Sequence, residues 1–183
     1  WGNTNSYGDW TDAVVVLPGA KPGTYMTPDG PREFDIFEER IAVKNAEPEI
    51  YEIRETIWGP VLDDNPDPDN EIAVSWIAHH TRGVTLGHLA LESAGDVEEA
   101  MNIANTIGMP PQNFVVGDAD GNIGWTIAGS IPRRAGFDPL LPADWSESGG
   151  WVGWFPPNEY PRVMNPESGR IWTANARVVD DEG

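Results

Sequence analysis

The chain has 183 residues, of which 39% are hydrophobic, 10% aromatic and 22% charged, enough apolar material to bury a core and to exclude wholesale disorder. Its longest uninterrupted apolar run, residues 13–17, falls well short of the roughly 18 residues a membrane helix needs. Thirty Asp and Glu against eleven Lys and Arg give a formal charge of -19, which excludes a phosphate backbone as partner because no basic stripe offsets it.

Only Lys21 and Lys44 are lysines, and an acidic, lysine-poor surface suits saline surroundings, where ions screen self-repulsion. A halophilic source is therefore one expectation. The absence of cysteine removes disulfides, thiol nucleophiles and thiolate metal sites together. Trp1-Gly2-Asn3-Thr4-Asn5 opens in a polar turn, without a methionine or a charged leader, so the chain is expected to be cut from something longer.

Seventeen prolines and twenty glycines are spread along the chain and punctuate short segments, the pattern of a β-rich α+β domain. Residues 12–17 predict a buried strand, and Met26-Thr27-Pro28-Asp29-Gly30-Pro31 carries turn chemistry. Residues 40–44 and 49–58 predict the arms of a hairpin; 72–78 alternate as a further strand. Asp96, with Glu99 three residues on, is a capping-box pair, and Val97, Ala100, Met101, Ala104 and Ile107 follow at helical spacing before Gly108. Residues 86–92 predict a second short helix. Residues 112–118 and 123–131 make the clearest hairpin, the Pro-, Gly- and Trp-rich stretch 137–169 wraps over the sheet, and 171–179 predicts a last strand. No internal repeat or boundary divides the chain, which predicts a single domain over 1–183.

Five candidates for chemistry stand out. Asp9 and Asp12 flank Trp10-Thr11: two carboxylates with a carbonyl between them suit Ca²⁺, or else form a solvated acidic turn. The acidic run 63–69 spaces its acids like a calcium loop, but Pro66 and Pro68 forbid that loop's backbone, so it predicts a hydrated loop. His79, His80 and His88 have no evident acid or serine beside them and predict structural or surface roles. Trp145, Trp151 and Trp154 suggest either a sugar-stacking platform or, more simply, an aromatic layer over the core. Asn113 stands at the opening of an apolar strand, where a primary amide must find partners or cost stability. It either satisfies neighbouring backbone or serves as a preorganised donor toward a developing oxyanion.

Several irregular segments together resemble one family. Trp1-Gly2-Asn3-Thr4-Asn5-Ser6-Tyr7-Gly8-Asp9-Trp10-Thr11-Asp12 is similar to the segment of penicillin acylases that precedes acidic calcium ligands. Pro111-Gln112-Asn113-Phe114-Val115-Val116-Gly117-Asp118-Ala119-Asp120-Gly121-Asn122-Ile123-Gly124-Trp125 resembles that family's asparagine-bearing strand and its Gly-Asn-Ile-Gly hairpin. Gly129-Ser130-Ile131-Pro132-Arg133-Arg134, Asn165-Pro166-Glu167-Ser168-Gly169 and Thr173-Ala174-Asn175-Ala176-Arg177 continue the likeness in order and spacing.

The resemblance implies an N-terminal-nucleophile amidohydrolase, whose αββα sandwich has antiparallel sheets and, in this part, one or two helices. In that family a maturation cut exposes a serine whose own amine is the base. Carried over by position, the Asn113 side chain and the Asn5 backbone N–H are the oxyanion donors. Arg134 matches an arginine at the substrate entrance, and Asp9, the Thr11 carbonyl and Asp12 match ligands of a structural calcium; no organic cofactor is implied.

The family's serine lies ahead of the segment matching Trp1, so this piece is expected to be inactive alone and to need the remaining segments of its parent. Substrates would be small amides, of the penicillin side-chain or acyl-homoserine lactone type, in a periplasmic or extracellular setting. A rival reading is a noncatalytic calcium- and carbohydrate-binding β-domain. Self-association through sheet edges is a third expectation.

Overall fold

Short paired strands recur along the chain in the computed structural model, which describes residues 1–64 and 70–175. The strands β1 (Gly2–Asn5), β2 (Thr11–Val16), β3 (Thr24–Thr27), β4 (Gly30–Glu33), β5 (Asp35–Ile41), β6 (Glu49–Thr56), β7 (Gly59–Pro60) and β8 (Glu71–Trp76) precede helix α1 (Val97–Ala104). After it come β9 (Gln112–Gly117), β10 (Ile123–Ala128), β11 (Pro132–Ala135), β12 (Ala143–Asp144), β13 (Gly150–Trp154) and β14 (Arg162–Met164). This is a β-rich α+β chain, and no helix among the described residues is long and apolar enough to cross a membrane.

Two compact units interleave along the sequence. Trp1–Trp10, Ile77–Arg133 and the described chain from Gly153 onward form one; Thr11–Trp76 with Arg134–Val152 form the other.

The first unit is built on an antiparallel sheet in the order β1-β9-β10-β14. Its register sets two faces, because residues directly opposite each other share a side of the sheet. Phe114 and Val116 point to the helix side, where they pack with Leu91, Val97, Met101 and Ala104. Gly124, opposite Val116, lets the helix approach closely: an added Cβ would lie 2.5 Å from Val97 Cγ1 and 2.9 Å from Met101 Sδ. Asn113, Ile127 and Trp125 fall on the other side, over a cluster completed by Tyr160, Trp10, Ile131 and Phe155. Burial raises the Tyr160 hydroxyl above its ordinary pKa; that hydroxyl donates to the Gly129 carbonyl and accepts from the Ile131 N–H.

The helix begins as its cap predicts. Asp96 Oδ1 accepts the Glu99 N–H at 2.8 Å, while Glu99 Oε2 accepts from the Gly95 N–H. It stops at Ala104, short of the predicted Ile107, because Asn105 turns its buried amide to the sheet and donates to Thr126 Oγ1 and the Ile127 carbonyl. Arg162 closes that network by donating to Asn105 Oδ1 and Asn102 Oδ1. Residues 86–92 form a 3-10 turn, Gly87–Ser93. The strand predicted over 72–78 ends at Trp76, its last residues entering the 3-10 turn Ile77–His79. Residues 171–175 of the predicted last strand are irregular, and Asn175 takes a φ of +49°; the rest of it, like 65–69 of the acidic run, lies outside the described residues.

Asp118 organises the β9–β10 turn. Its Oδ1 accepts the N–H groups of Asp120 and Asn122, and its Oδ2 accepts from the Asn122 side chain. These bonds, that of the Asn122 side chain foremost, hold its carboxyl below the ordinary value of 3.8. A lowered folded pKa means the carboxylate stabilises the chain above that value, and the contribution disappears as pH falls through the folded pKa. Asp118→Asn should therefore lower the thermal midpoint at neutral pH, and the gap from wild type should close in acid. A gap that stays constant across a pH series of melts would remove the carboxylate from this role.

The second unit contains a three-stranded sheet in the order β12-β2-β8, the hairpin β3–β4, and the sheet β5-β6-β7. Along β2 every second residue, Asp12, Val14 and Val16, is buried. Val14 and Val16 join Tyr25, Ala73 and Trp145 in the core, with Phe34, Trp58 and Phe137 packed around them. The hairpin predicted over 40–44 and 49–58 has its first arm earlier, at β5, and its second arm ends at Thr56; every residue of β5 is exposed. One of its faces carries Phe37, Ile41 and Tyr51, apolar side chains left uncovered.

Candidate active site

Asn113 is fully buried on β9, opposite Thr4 of the edge strand β1 on one side and Ile127 of β10 on the other. Its Nδ2 donates to the Asn5 carbonyl at 2.9 Å, and its Oδ1 accepts the indole N–H of Trp125 at 3.1 Å. A donor at one end and an acceptor at the other fix which way the amide faces. The backbone satisfaction foreseen for this residue is thus present at its nitrogen, whereas its oxygen is held by an aromatic side chain. A carboxamide with both ends anchored in a dry sheet is preorganised, which is what charge stabilisation demands of a donor.

Asn5 closes the end of β1 with its N–H, its carbonyl and its side-chain oxygen engaged. Its Oδ1 accepts from Gln112 Nε2, its carbonyl from Asn113, and its N–H donates to Asn175 Oδ1 at 2.9 Å. Next to it, Ser6 is buried and donates to the Pro111 carbonyl at 2.9 Å, pinning the chain as it leaves the strand. Thr4, on the same face as Asn113, has a buried hydroxyl that finds no hydrogen-bond partner among the described residues. The structure therefore brings Asn5 and Asn113 together at one sheet edge. Sequence reasoning missed Trp125, Asn175 and Thr4 as their neighbours, although all three stand inside the quoted motifs.

The remaining candidates lie elsewhere. Asp9 belongs to the first unit; Thr11 and Asp12 open β2 of the second. Asp12, with a side chain only 1% exposed, pairs with Arg134: the guanidinium Nε lies 2.8 Å and 3.1 Å from its two oxygens. The Trp151 indole N–H donates to the same carboxylate at 2.6 Å. A calcium ion needs six to eight oxygen ligands, largely carboxylate and carbonyl. Here the Asp12 carboxylate is already neutralised by a guanidinium, and no group of three or more acidic or histidine side chains among the described residues is placed to hold a metal. The donor set as arranged does not fit calcium without displacement of Arg134. Arg134, expected at a substrate entrance, has its Nε committed to Asp12.

The tryptophans separate as well. Trp145 is buried, packs edge-on against Trp58 and beside Phe137, and so presents no face to a sugar. Trp154 packs against the His80 ring and lies under the Arg82 guanidinium. His80 Nδ1 accepts the Arg82 N–H, a structural role for this histidine.

Comparison with known proteins shows the family. The profile of the family described as penicillin amidase matches residues 1–183. Penicillin G acylase of Escherichia coli is 30% identical over 178 residues, covering 93% of this chain and 20% of the relative. Penicillin acylase 2 proenzyme of a Pseudomonas species is 31% identical over 146 residues, covering 79% of this chain and 19% of the relative. The acyl-homoserine lactone acylase QuiP of Pseudomonas fluorescens is 37% identical over 90 residues, 49% of this chain and 11% of that protein. The solved structure of a thermostable penicillin G acylase from Alcaligenes faecalis has the same fold, with a TM-score of 0.82 at 23% identity, over 99% of this chain and 33% of that one. The chain spans about a fifth of the length of the two penicillin acylases it matches in sequence. With the profile running from Trp1 to Gly183 and two relatives of 30% identity or more aligned over most of its length, this chain belongs to the penicillin amidase family.

Proposed function

We propose that the chain supplies the oxyanion-stabilising part of an amidohydrolase of the N-terminal-nucleophile type. One observation carries the reading: a buried carboxamide, Asn113, locked by Trp125 and set against the Asn5 backbone at the edge of a sheet. In the complete enzyme a terminal serine, contributed by another part of the polypeptide, attacks the amide carbonyl. The Asn113 nitrogen and the Asn5 N–H steady the negative charge on its oxygen, the amine leaves, and water releases the acyl group. The substrates are small N-acyl amides of the kinds named in the relatives, penicillin side chains or acyl-homoserine lactones. Further segments of a longer polypeptide would cover the apolar face of the β5–β6 hairpin; a second copy of the chain is the other candidate for that face. A periplasmic or extracellular setting belongs to the same proposal.

Calcium enters the proposal only in a form where Arg134 has released Asp12, and no step of the reaction passes through it. Asp9, the Thr11 carbonyl and Asp12 would then be its ligands.

The test is to express the complete gene and sequence the mature chains. A new terminus at Ser, Thr or Cys, whose replacement abolishes amide hydrolysis, is the expected result. The 183 residues alone should hydrolyse nothing measurable, since a nucleophile in a serine hydrolase is worth about 10⁶ in rate. Asn113-dependent hydrolysis by this chain alone would overturn the assigned division of labour.

A further inference from the structure

The acceptor on the Asn5 N–H is the side-chain carbonyl of Asn175, which comes from 170 residues further along the chain. A carboxamide oxygen is the same chemical group that an amide substrate brings to such a donor. The side-chain oxygen and the carbonyl of Asn5 are tied from within the sheet, by Gln112 and Asn113 of β9. The bond to Asn175 differs from them: it comes from outside the strand pair and from an exposed residue, where water and ligands reach it. Asn175 also holds a φ of +49°, a left-handed backbone that asparagine tolerates better than most residues, and that conformation accompanies the contact.

We propose that Asn175 is a displaceable stand-in for the substrate carbonyl. It satisfies the Asn5 N–H in the resting protein and gives way when an amide oxygen arrives. The inference rests on the reading of Asn5 as an oxyanion donor. A neutral, solvent-reachable hydrogen bond has a small net worth, so the closed form outweighs the open one by roughly two- to tenfold, not by thousands. When only a fraction of molecules is competent to bind, the apparent affinity falls by that fraction, while the chemistry after binding is untouched. Asn175 is therefore a gate that acts on KM, not on kcat.

The experiment uses the complete parent enzyme with the 4-nitroanilides of phenylacetic and decanoic acids as probes. Asn175→Gly removes the carbonyl and keeps a residue that accepts the left-handed backbone. It should lower KM roughly two- to tenfold and change kcat by less than about twofold. Asn175→Asp offers the N–H a charged acceptor, a bond about twice as strong, and should raise KM. If the glycine variant does not fold, the aspartate variant decides alone: a raised KM at unchanged kcat supports the gate, and an unaltered KM overturns it. An unaltered or raised KM in a folded glycine variant, or a loss of kcat, would make Asn175 a strut and end the proposal. Asn113→Ala measured beside them keeps the two readings apart. If its kcat does not fall, the oxyanion reading itself fails; if it falls while Asn175→Gly leaves KM unmoved, only the gate is lost.

Discussion

In the complete parent enzyme, Asn113→Ala should lower kcat by about 10²–10³, the usual cost of removing one oxyanion donor. If Asn113 acts in the transition state as proposed, kcat and kcat/KM should fall together, with KM nearly unchanged. The same substitution should also cost stability. Asn113 is fully buried, and its removal leaves the Trp125 indole N–H and the Asn5 carbonyl without their partner. Each orphaned group costs about 1–3 kcal/mol. The two effects separate in a double-mutant cycle with Trp125→Phe, which removes the orphaned N–H but no donor to substrate. The cycle should recover part of the lost urea resistance and none of the lost rate. Full recovery of rate with stability would reduce Asn113 to a structural amide.

The second large effect is expected at Arg134. Its guanidinium faces an Asp12 carboxylate that is 1% exposed, so Arg134→Met strands a charge in the interior of the second unit. Breaking such a pair from one side costs about 3–5 kcal/mol, whereas replacing both partners with apolar residues is often neutral. Urea unfolding should show the loss in Arg134→Met and its substantial repair in Asp12→Leu/Arg134→Met. Arg134→Lys should fall between, since an ammonium keeps the charge but loses the Nε–H that lies between the two oxygens. Millimolar Ca²⁺ provides the contrast. If the calcium reading holds, the ion takes the vacated carboxylate and restores stability to Arg134→Met but not to the double variant. If calcium does nothing to either, Asp12 is an anchor for Arg134 and Trp151 alone. A raised KM in the parent carrying Arg134→Met, at matched folded fraction, would support the substrate-entrance role as well.

How much of this was legible in the sequence depended on the range of the interaction. The N-cap at Asp96, the β9–β10 hairpin and the buried strand β2 follow from neighbours within a few residues, and each stands where it was expected. The alternation along β2 even carried a warning, since it puts Asp12 inward with Val14 and Val16, where a carboxylate must find a cation. The identity of that cation was not readable, because Arg134 lies 122 residues away. The helix was read one turn too long because Ile107 keeps the apolar rhythm, while the residue that ends it, Asn105, is drawn off by a strand formed later in the chain. Asn113 was legible as an amide in an apolar strand, but the indole that orients it and the asparagine on its neighbour's N–H depend on sheet register and on chain closure. Trp145 was ambiguous for a similar reason: an aromatic among glycines reads alike as a platform or as core, and only the packing of Trp58 and Phe137 decides for core.

The separation of β1 from β9 bears on synthesis. Asn5 and Asn113 meet across 108 residues, so β1 is made well before β9, the strand it pairs with. At about 5–20 residues per second, it waits roughly 5–20 s for Asn113 to be made. During that interval the main-chain groups that β1 shares with β9 lack this partner. Misassembly in a producing cell should therefore involve β1, and codon choices that speed the stretch between β1 and β9 should raise the yield of correctly joined protein.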